Sequence, residues 1–291
     1  MPMGVVVLFL MLVLGGAVAT AHSEQISIVA AENFYGDVAG QIGGTRVHVV
    51  SILSNPNEDP HLFEASPSTA RAIAAARIVV FNGAAYDDWI VKLLAGSSGA
   101  HRETIDLATL MHRRPGDNPH LWYDPATMPA YAVALAALLR KDDPGHRDDY
   151  RRGLAAFLAS LTPLQARIAS MRRAYRGTPV TATEPVFGDL AAALGLDMRN
   201  PGFQVAVMNG TEPSASDIAA FQDDLTHRRV RVLFYNNQTA DPLTDKMRTM
   251  ATAAGIPIIG VSETEPPGTR FQHWMMTQLS MLDVALSRGR P

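Results

Sequence analysis

Short runs of β-branched and aliphatic residues recur along the chain, each closed by turn residues or followed by a stretch with helical spacing. In the first half, Ile26 to Ala30, Val47 to Leu53, Ile78 to Phe81 and the weaker Thr104 to Leu107 predict strands. In the second half the same pattern marks Pro179 to Thr183, Phe203 to Met208, Val230 to Tyr235 and Ile256 to Val261. Between them, alanine-rich segments such as Pro67 to Ala76 and Ser214 to Thr226 predict helices. Strand and helix alternate in both halves, so the expected class is α/β, with about four parallel strands per half and helical crossovers.

The halves also resemble each other. Val29-Ala30-Ala31-Glu32-Asn33-Phe34-Tyr35-Gly36-Asp37-Val38-Ala39 parallels Thr181-Ala182-Thr183-Glu184-Pro185-Val186-Phe187-Gly188-Asp189-Leu190-Ala191 at a constant offset of 152. In both, a strand ends in Glu and a helix opens near Gly-Asp, which favours two lobes of similar build. From His146 to Arg176 the apolar positions Leu154, Phe157, Leu161, Leu164, Ile168, Met171 and Tyr175 step by three and four, a helical stripe. At roughly 1.5 Å per residue that helix spans about 46 Å, enough to brace two lobes with limited hinge opening. Pro163 is expected to kink it or split it in two. The boundaries read from these patterns are an N-terminal lobe over 22–145, a connecting helix over 146–177 and a C-terminal lobe over 178–291.

Residues 1–21 read as a signal peptide. Val5 to Leu14 form an apolar core, followed by small residues ending Ala19-Thr20-Ala21, an A-x-A cleavage site. That core is short for a membrane span, which needs roughly 20 apolar residues. No Lys or Arg precedes it. The chain has no cysteine, so it has neither disulfides nor a thiol for lipid attachment, and any metal site must use nitrogen and oxygen. A periplasmic monomer is expected. With 47% hydrophobic residues, net charge −3 and a pI near 6.3, the chain lacks the basic face of nucleic-acid binders.

Against this background two histidine motifs stand out, Asp59-Pro60-His61-Leu62-Phe63-Glu64 and Asn118-Pro119-His120-Leu121-Trp122-Tyr123-Asp124-Pro125. Each places an imidazole directly after a proline, whose fixed φ and missing N–H make the presenting loop stiff and non-helical. Glu184 in Thr183-Glu184-Pro185 and Glu265 in Thr264-Glu265-Pro266-Pro267-Gly268 have a similar proline-braced setting. Two imidazoles and two carboxylates suit a divalent transition metal. All four follow predicted strands, and parallel sheets bind ligands beyond their carboxyl ends. Singly, each has a plainer reading. The acids could cap helix N-termini, and a lone loop histidine is usually a surface group, as expected for His22, His48, His101, His112, His146, His227 and His273. Asn209-Gly210-Thr211 and Asn237-Gln238-Thr239 fit the glycosylation pattern but read as turn sequences in an exported bacterial chain.

At these residues the chain resembles the solute-binding proteins of ABC transporters that import zinc, manganese or iron. The likeness runs through both histidine motifs, Phe81-Asn82-Gly83, Phe187-Gly188-Asp189-Leu190, Glu212-Pro213-Ser214-Ala215-Ser216-Asp217 and the C-terminal helix from Trp274. It implies two lobes joined by a long rigid helix, a cargo of Zn²⁺ or Mn²⁺ (or Fe²⁺) held between them, a membrane permease as partner, and no catalysis. It places the ligands on His61, His120, Glu184 and Glu265. Glu263 is near enough to compete for the last place; Glu265 is preferred because Pro-Pro-Gly follows it. Zinc-specific members usually carry histidine at the position of Glu184 and a long His-rich loop between the two motifs. Here Leu110 to His120 is short. The rival readings are a metallohydrolase with an open metal position and a surface adhesin or binder of a metal chelate. Neither a His-Glu-x-x-His helix, a Gly-x-Ser-x-Gly elbow nor a Gly-rich phosphate loop is present.

Overall fold

The computed structural model describes residues 25–97, 101–114, 116–239 and 241–287. The expected signal peptide, residues 1–21, lies outside them. The strands are β1 (Ile26–Glu32), β2 (Val47–Leu53), β3 (Ile78–Phe81), β4 (Glu103–Asp106), β5 (Pro179–Ala182), β6 (Asp197–Arg199), β7 (Leu233–Asn236) and β8 (Ile258–Val261). They form two sheets, ordered β2-β1-β3-β4 and β6-β5-β7-β8, and every pairing is parallel. The two halves therefore share one topology, as the 152-residue repeat requires. The central strands are buried on both faces, which explains why Ile78–Phe81 reads as an unbroken apolar run.

One predicted strand is a helix. Phe203 to Met208 belongs to the helix Pro201–Met208. Pro201 supplies a first-turn φ at no hydrogen-bond cost. Within the helix Phe203 is fully buried while Val205 is 46% exposed, as expected of positions two apart on a helix and not of a strand, where they would share a face. The strand in its place is β6, whose Asp-Met-Arg sequence carries no apolar run because it lies at the sheet edge beside β5. β7 and β8 each begin later than their hydrophobic runs, at Leu233 and Ile258.

The connection between the lobes is two helices, Arg147–Ser160 and Thr162–Tyr175. Leu161 between them keeps right-handed helical angles, and Pro163 sits in the first turn of the second, where it lacks no partner. A single buried core runs through both lobes. Its aromatic spine passes from Phe34 to Trp122 at 4.7 Å, through Tyr123 to Phe187 at 5.4 Å, and on to Phe234 at 4.4 Å. Polar straps parallel it. Arg113 reaches both Asp124 and Asp189, and Asn33 exchanges two hydrogen bonds with the backbone of Glu265. Parallel strands end on a common side, so the loops after β2, β4, β5, β7 and β8 gather at one edge.

Candidate metal centre

The loop after β2 carries His61 in a short 3₁₀ turn, Pro60–Leu62, whose first N–H is capped by Asp59: the His61 amide donates to Asp59 Oδ1 at 2.9 Å. The loop after β4 carries His120. Its Nδ1 lies 2.7 Å from Asn118 Oδ1, and the Asn118 amide nitrogen donates to Pro185 O at 3.0 Å, which settles which end of that amide faces the ring. Nδ1 is therefore the protonated nitrogen, and Nε2 points into the cleft with its lone pair free. Asn82, at the end of β3, holds the same loop by donating to Pro119 O at 2.7 Å.

Both imidazoles meet a carboxylate from the other lobe. Glu263 Oε2 lies 3.3 Å from His61 Nε2 and 3.4 Å from His120 Nε2. His61, His120 and Glu263 form the one cluster among the described residues whose ligand atoms all fall within 4.8 Å of one another. His120 and Glu263 are fully buried, whereas the His61 side chain stays 25% exposed. Tyr86 and Trp122 wall the imidazoles at 5.1 and 5.3 Å between ring centres. A neutral His120 Nε2 facing a carboxylate oxygen brings two acceptors together. Such a contact is stable only with a cation between them, a proton or a metal.

Glu184 stands just outside that trio. Its Oε2 lies 3.4 Å from the side-chain amide nitrogen of Asn236, which also donates to Glu263 Oε1 at 2.5 Å. His120 Nε2, Glu184 Oε1 and Glu263 Oε2 are all buried without a hydrogen-bond partner. Three orphaned acceptors, joined by the half-exposed His61, fit an N/O-coordinated cation. Glu265 goes elsewhere. Its N–H donates to Asn33 Oδ1 at 2.9 Å, and its carboxyl is buried beside Asp37. The structure thus brings together His61, His120 and Glu263 with Glu184 adjacent, and directs Glu265 to the interface between lobes. The run Ser262 to Glu265 is buried throughout, so burial alone does not separate the two acids. What separates them is that the Glu263 N–H donates to Gln238 Oε1 at 2.5 Å, on the β7 side, while Glu265 is tied to Asn33. Asn236 and Gln238 carried no functional signal beyond their place at a strand end.

The charges respond to this crowding. Burial disfavours the Glu263 carboxylate, but the His120 and His61 imidazoles beside it outweigh that and hold its pKa well below the usual range. Burial likewise disfavours the His61 imidazolium, and Glu263, with Asp59 and Glu184, overcomes it and raises the pKa. Glu184 is pushed up to about 7 by burial and by the Glu263 charge. Glu265 reaches about 9 through burial and Asp37. An open cleft bordered by Asp59, His61, Leu62, Glu184, Glu212 and Asp241 leads to the site from solvent. Its acids give an entering cation a favourable field.

Two parallel-sheet lobes with titratable groups gathered at the cleft between them define a two-lobed binding protein. The chain belongs to the family of zinc-uptake complex component A periplasmic proteins (ZnuA), whose model matches residues 28–285. It is 22% identical over 291 residues to the iron ABC transporter substrate-binding lipoprotein MtsA of Streptococcus pyogenes serotype M1, covering 92% of this chain and 91% of that one. Among solved structures it is similar to the periplasmic zinc-binding protein TroA of Treponema pallidum, with a TM-score of 0.76 at 18% identity over 90% of this chain and 99% of that one. It is also similar to a mutant of the laminin-binding adhesin Lmb of Streptococcus agalactiae, with a TM-score of 0.73 at 22% identity over 90% and 99%. At those identities the solved structures establish a shared fold.

Proposed function

We propose that this protein captures a divalent transition metal outside the cytoplasm and delivers it to an ABC permease for import, performing no chemistry on the ion. His61, His120 and Glu263 are the proposed ligands, with Glu184 as the fourth. This set replaces Glu265 by Glu263. The observation that supports the reading is the meeting of two imidazole Nε2 atoms with one carboxylate oxygen, where His120 Nε2 and Glu263 Oε2 are buried without a hydrogen-bond partner among the described residues. Membership in a family of solute-binding proteins supports transport over hydrolysis. Asn118 fixes the His120 tautomer that coordination needs, and the aromatic wall keeps water from competing. The proposed organisation is the one read from the sequence: cleavage after Ala21, lobes over 22–145 and 178–291 about the connector 146–177, and a monomer free in the periplasm, since no cysteine is available for a lipid anchor.

Isothermal titration of the metal-free mature protein with Zn²⁺, Mn²⁺ and Fe²⁺ tests the proposal. Binding tighter than about 1 μM to at least one of them is expected, and its loss in His120→Ala. Failure of every ion to bind in that range refutes it.

A further inference from the structure

Asn236 ends β7 with a buried side chain, 3% exposed, between the two carboxylates of the proposed site. Its orientation is fixed. Asn236 Oδ1 accepts from the Gln238 backbone N–H at 3.1 Å, so the amino group is turned toward the acids. That amino group has three acceptors for its two hydrogens: Glu263 Oε1 at 2.5 Å, Thr239 Oγ1 at 2.9 Å and Glu184 Oε2 at 3.4 Å. Its two hydrogens are shared among them, and the short contact to Glu263 Oε1 and the longer one to Glu184 Oε2 each face one oxygen of a glutamate and leave the other. The remaining oxygens, Glu263 Oε2 and Glu184 Oε1, are both buried without a hydrogen-bond partner. The amide therefore divides each carboxylate into an occupied oxygen and a free one.

We infer that Asn236 is a specificity-determining residue that holds both glutamates monodentate, making the site a four-coordinate pair of nitrogens and pair of oxygens that favours zinc over manganese. The inference rests on the ligand set proposed above and deepens it. A carboxylate with both oxygens free can bind a metal through both and raise the coordination number to five or six, which suits the larger, oxygen-preferring Mn²⁺. Zn²⁺ accepts four ligands in tetrahedral geometry without penalty. A carboxylate oxygen turned to the Asn236 amide is held away from the cation, which disfavours the bidentate mode. The same contact places a positive dipole between two like charges, which keeps them together before the metal arrives. Selection here comes from geometry, because ligand softness is the same for both ions.

The test uses Co²⁺ as a spectroscopic stand-in for zinc, added to the metal-free mature protein. The wild type should show the intense visible bands of four-coordinate cobalt. In Asn236→Ala, and equally in the isosteric Asn236→Asp, which cannot donate, the bands should weaken toward the pale spectrum of higher coordination. The ratio of zinc to manganese affinity, from competition titrations, should fall by about tenfold or more in both variants. Weak six-coordinate bands in the wild type overturn the inference even if neither variant folds. So does an unchanged spectrum and affinity ratio in folded variants. Absence of any cobalt or zinc binding to the wild type refutes the ligand set itself, a separate result.

Discussion

The same two residue types close the equivalent strands of each lobe, yet they serve opposite ends. Glu32 ends β1 and Asn82 follows β3; Glu184 lies just past β5 and Asn236 ends β7. In the N-terminal lobe Glu32 is fully buried, and its pKa is raised well above the ordinary range by burial and by neighbouring Asp87. Asp87 takes backbone N–H bonds from Asn82 and Gly83 at 2.6 and 2.8 Å, which partly offset the burial that pushes its own pKa up to about 6. Asn82 accepts from the Tyr35 hydroxyl and donates to Pro119 O, tying the His120 loop to the sheet. In the C-terminal lobe Asp241 stands the same five residues past Asn236, but its side chain accepts from the Thr244 N–H and caps the next helix, and the acid that presses on Glu184 is Glu263. Glu184 borders the cleft, and Asn236 reaches both glutamates. A duplicated strand end has thus become scaffold in one lobe and proposed binding surface in the other. The difference lies in what faces the glutamate.

The sharpest break in that symmetry is expected at the cluster joining the lobes. His120→Ala or Glu263→Ala should weaken zinc binding by well over about a hundredfold, more than the loss of a residue that only orients a ligand usually costs, as measured by competition with a chelator. A matched pair comes next. Glu184→Gln should weaken binding by about ten- to a hundredfold, whereas Glu32→Gln, its repeat partner, should leave affinity within about threefold. Equal losses from the two would deny that the lobes have diverged in role.

Protons sharpen the contrast further. Metal binding requires Glu184, at about 7, to lose its proton and the raised His61 to become neutral. Affinity should therefore fall as pH drops from 7 to 5, by about ten- to a hundredfold per unit, with one to two protons released per metal. Flat affinity across that range excludes imidazole coordination. In the metal-free protein the sign for His61 is opposite. Its raised pKa contributes stability that is complete below the unfolded value of about 6.5 and is lost as pH rises through the folded value.

A smaller effect separates the two asparagines. Asn82→Ala takes the partner from the buried Tyr35 hydroxyl and leaves the Pro119 carbonyl with the Leu121 N–H alone, so it should cost about 1–3 kcal/mol in urea unfolding of the metal-free protein. Asn236→Ala removes a donor from between two acids and should register chiefly in metal binding. The smallest change is expected from Glu265→Gln. Its carboxyl, at about 9, is already neutral at pH 7, and zinc affinity should stay within about threefold; a loss matching that of Glu263→Ala would restore Glu265 to the site.

The sequence alone determined the alternating α/β architecture, the doubling of the lobe and the two proline-braced histidines. These depend on local features: hydrophobic runs, the repeat near Glu32 and Glu184, and prolines that stiffen the loops before His61 and His120. Where local signals conflicted, reading failed. Phe203 to Met208 has strand-like composition, but Pro201 starts a helix, and β6 pairs at an edge where no apolar run is needed. The choice between Glu263 and Glu265 lay beyond the sequence. The two acids are separated by one residue in a single buried loop, and their directions are set by contacts from afar, Gln238 on one side and Asn33, 232 positions away, on the other. The Gln238 bond exists only once the C-terminal lobe is folded and the Asn33 bond only once the two lobes are assembled, and together they decide which carboxylate faces the imidazoles.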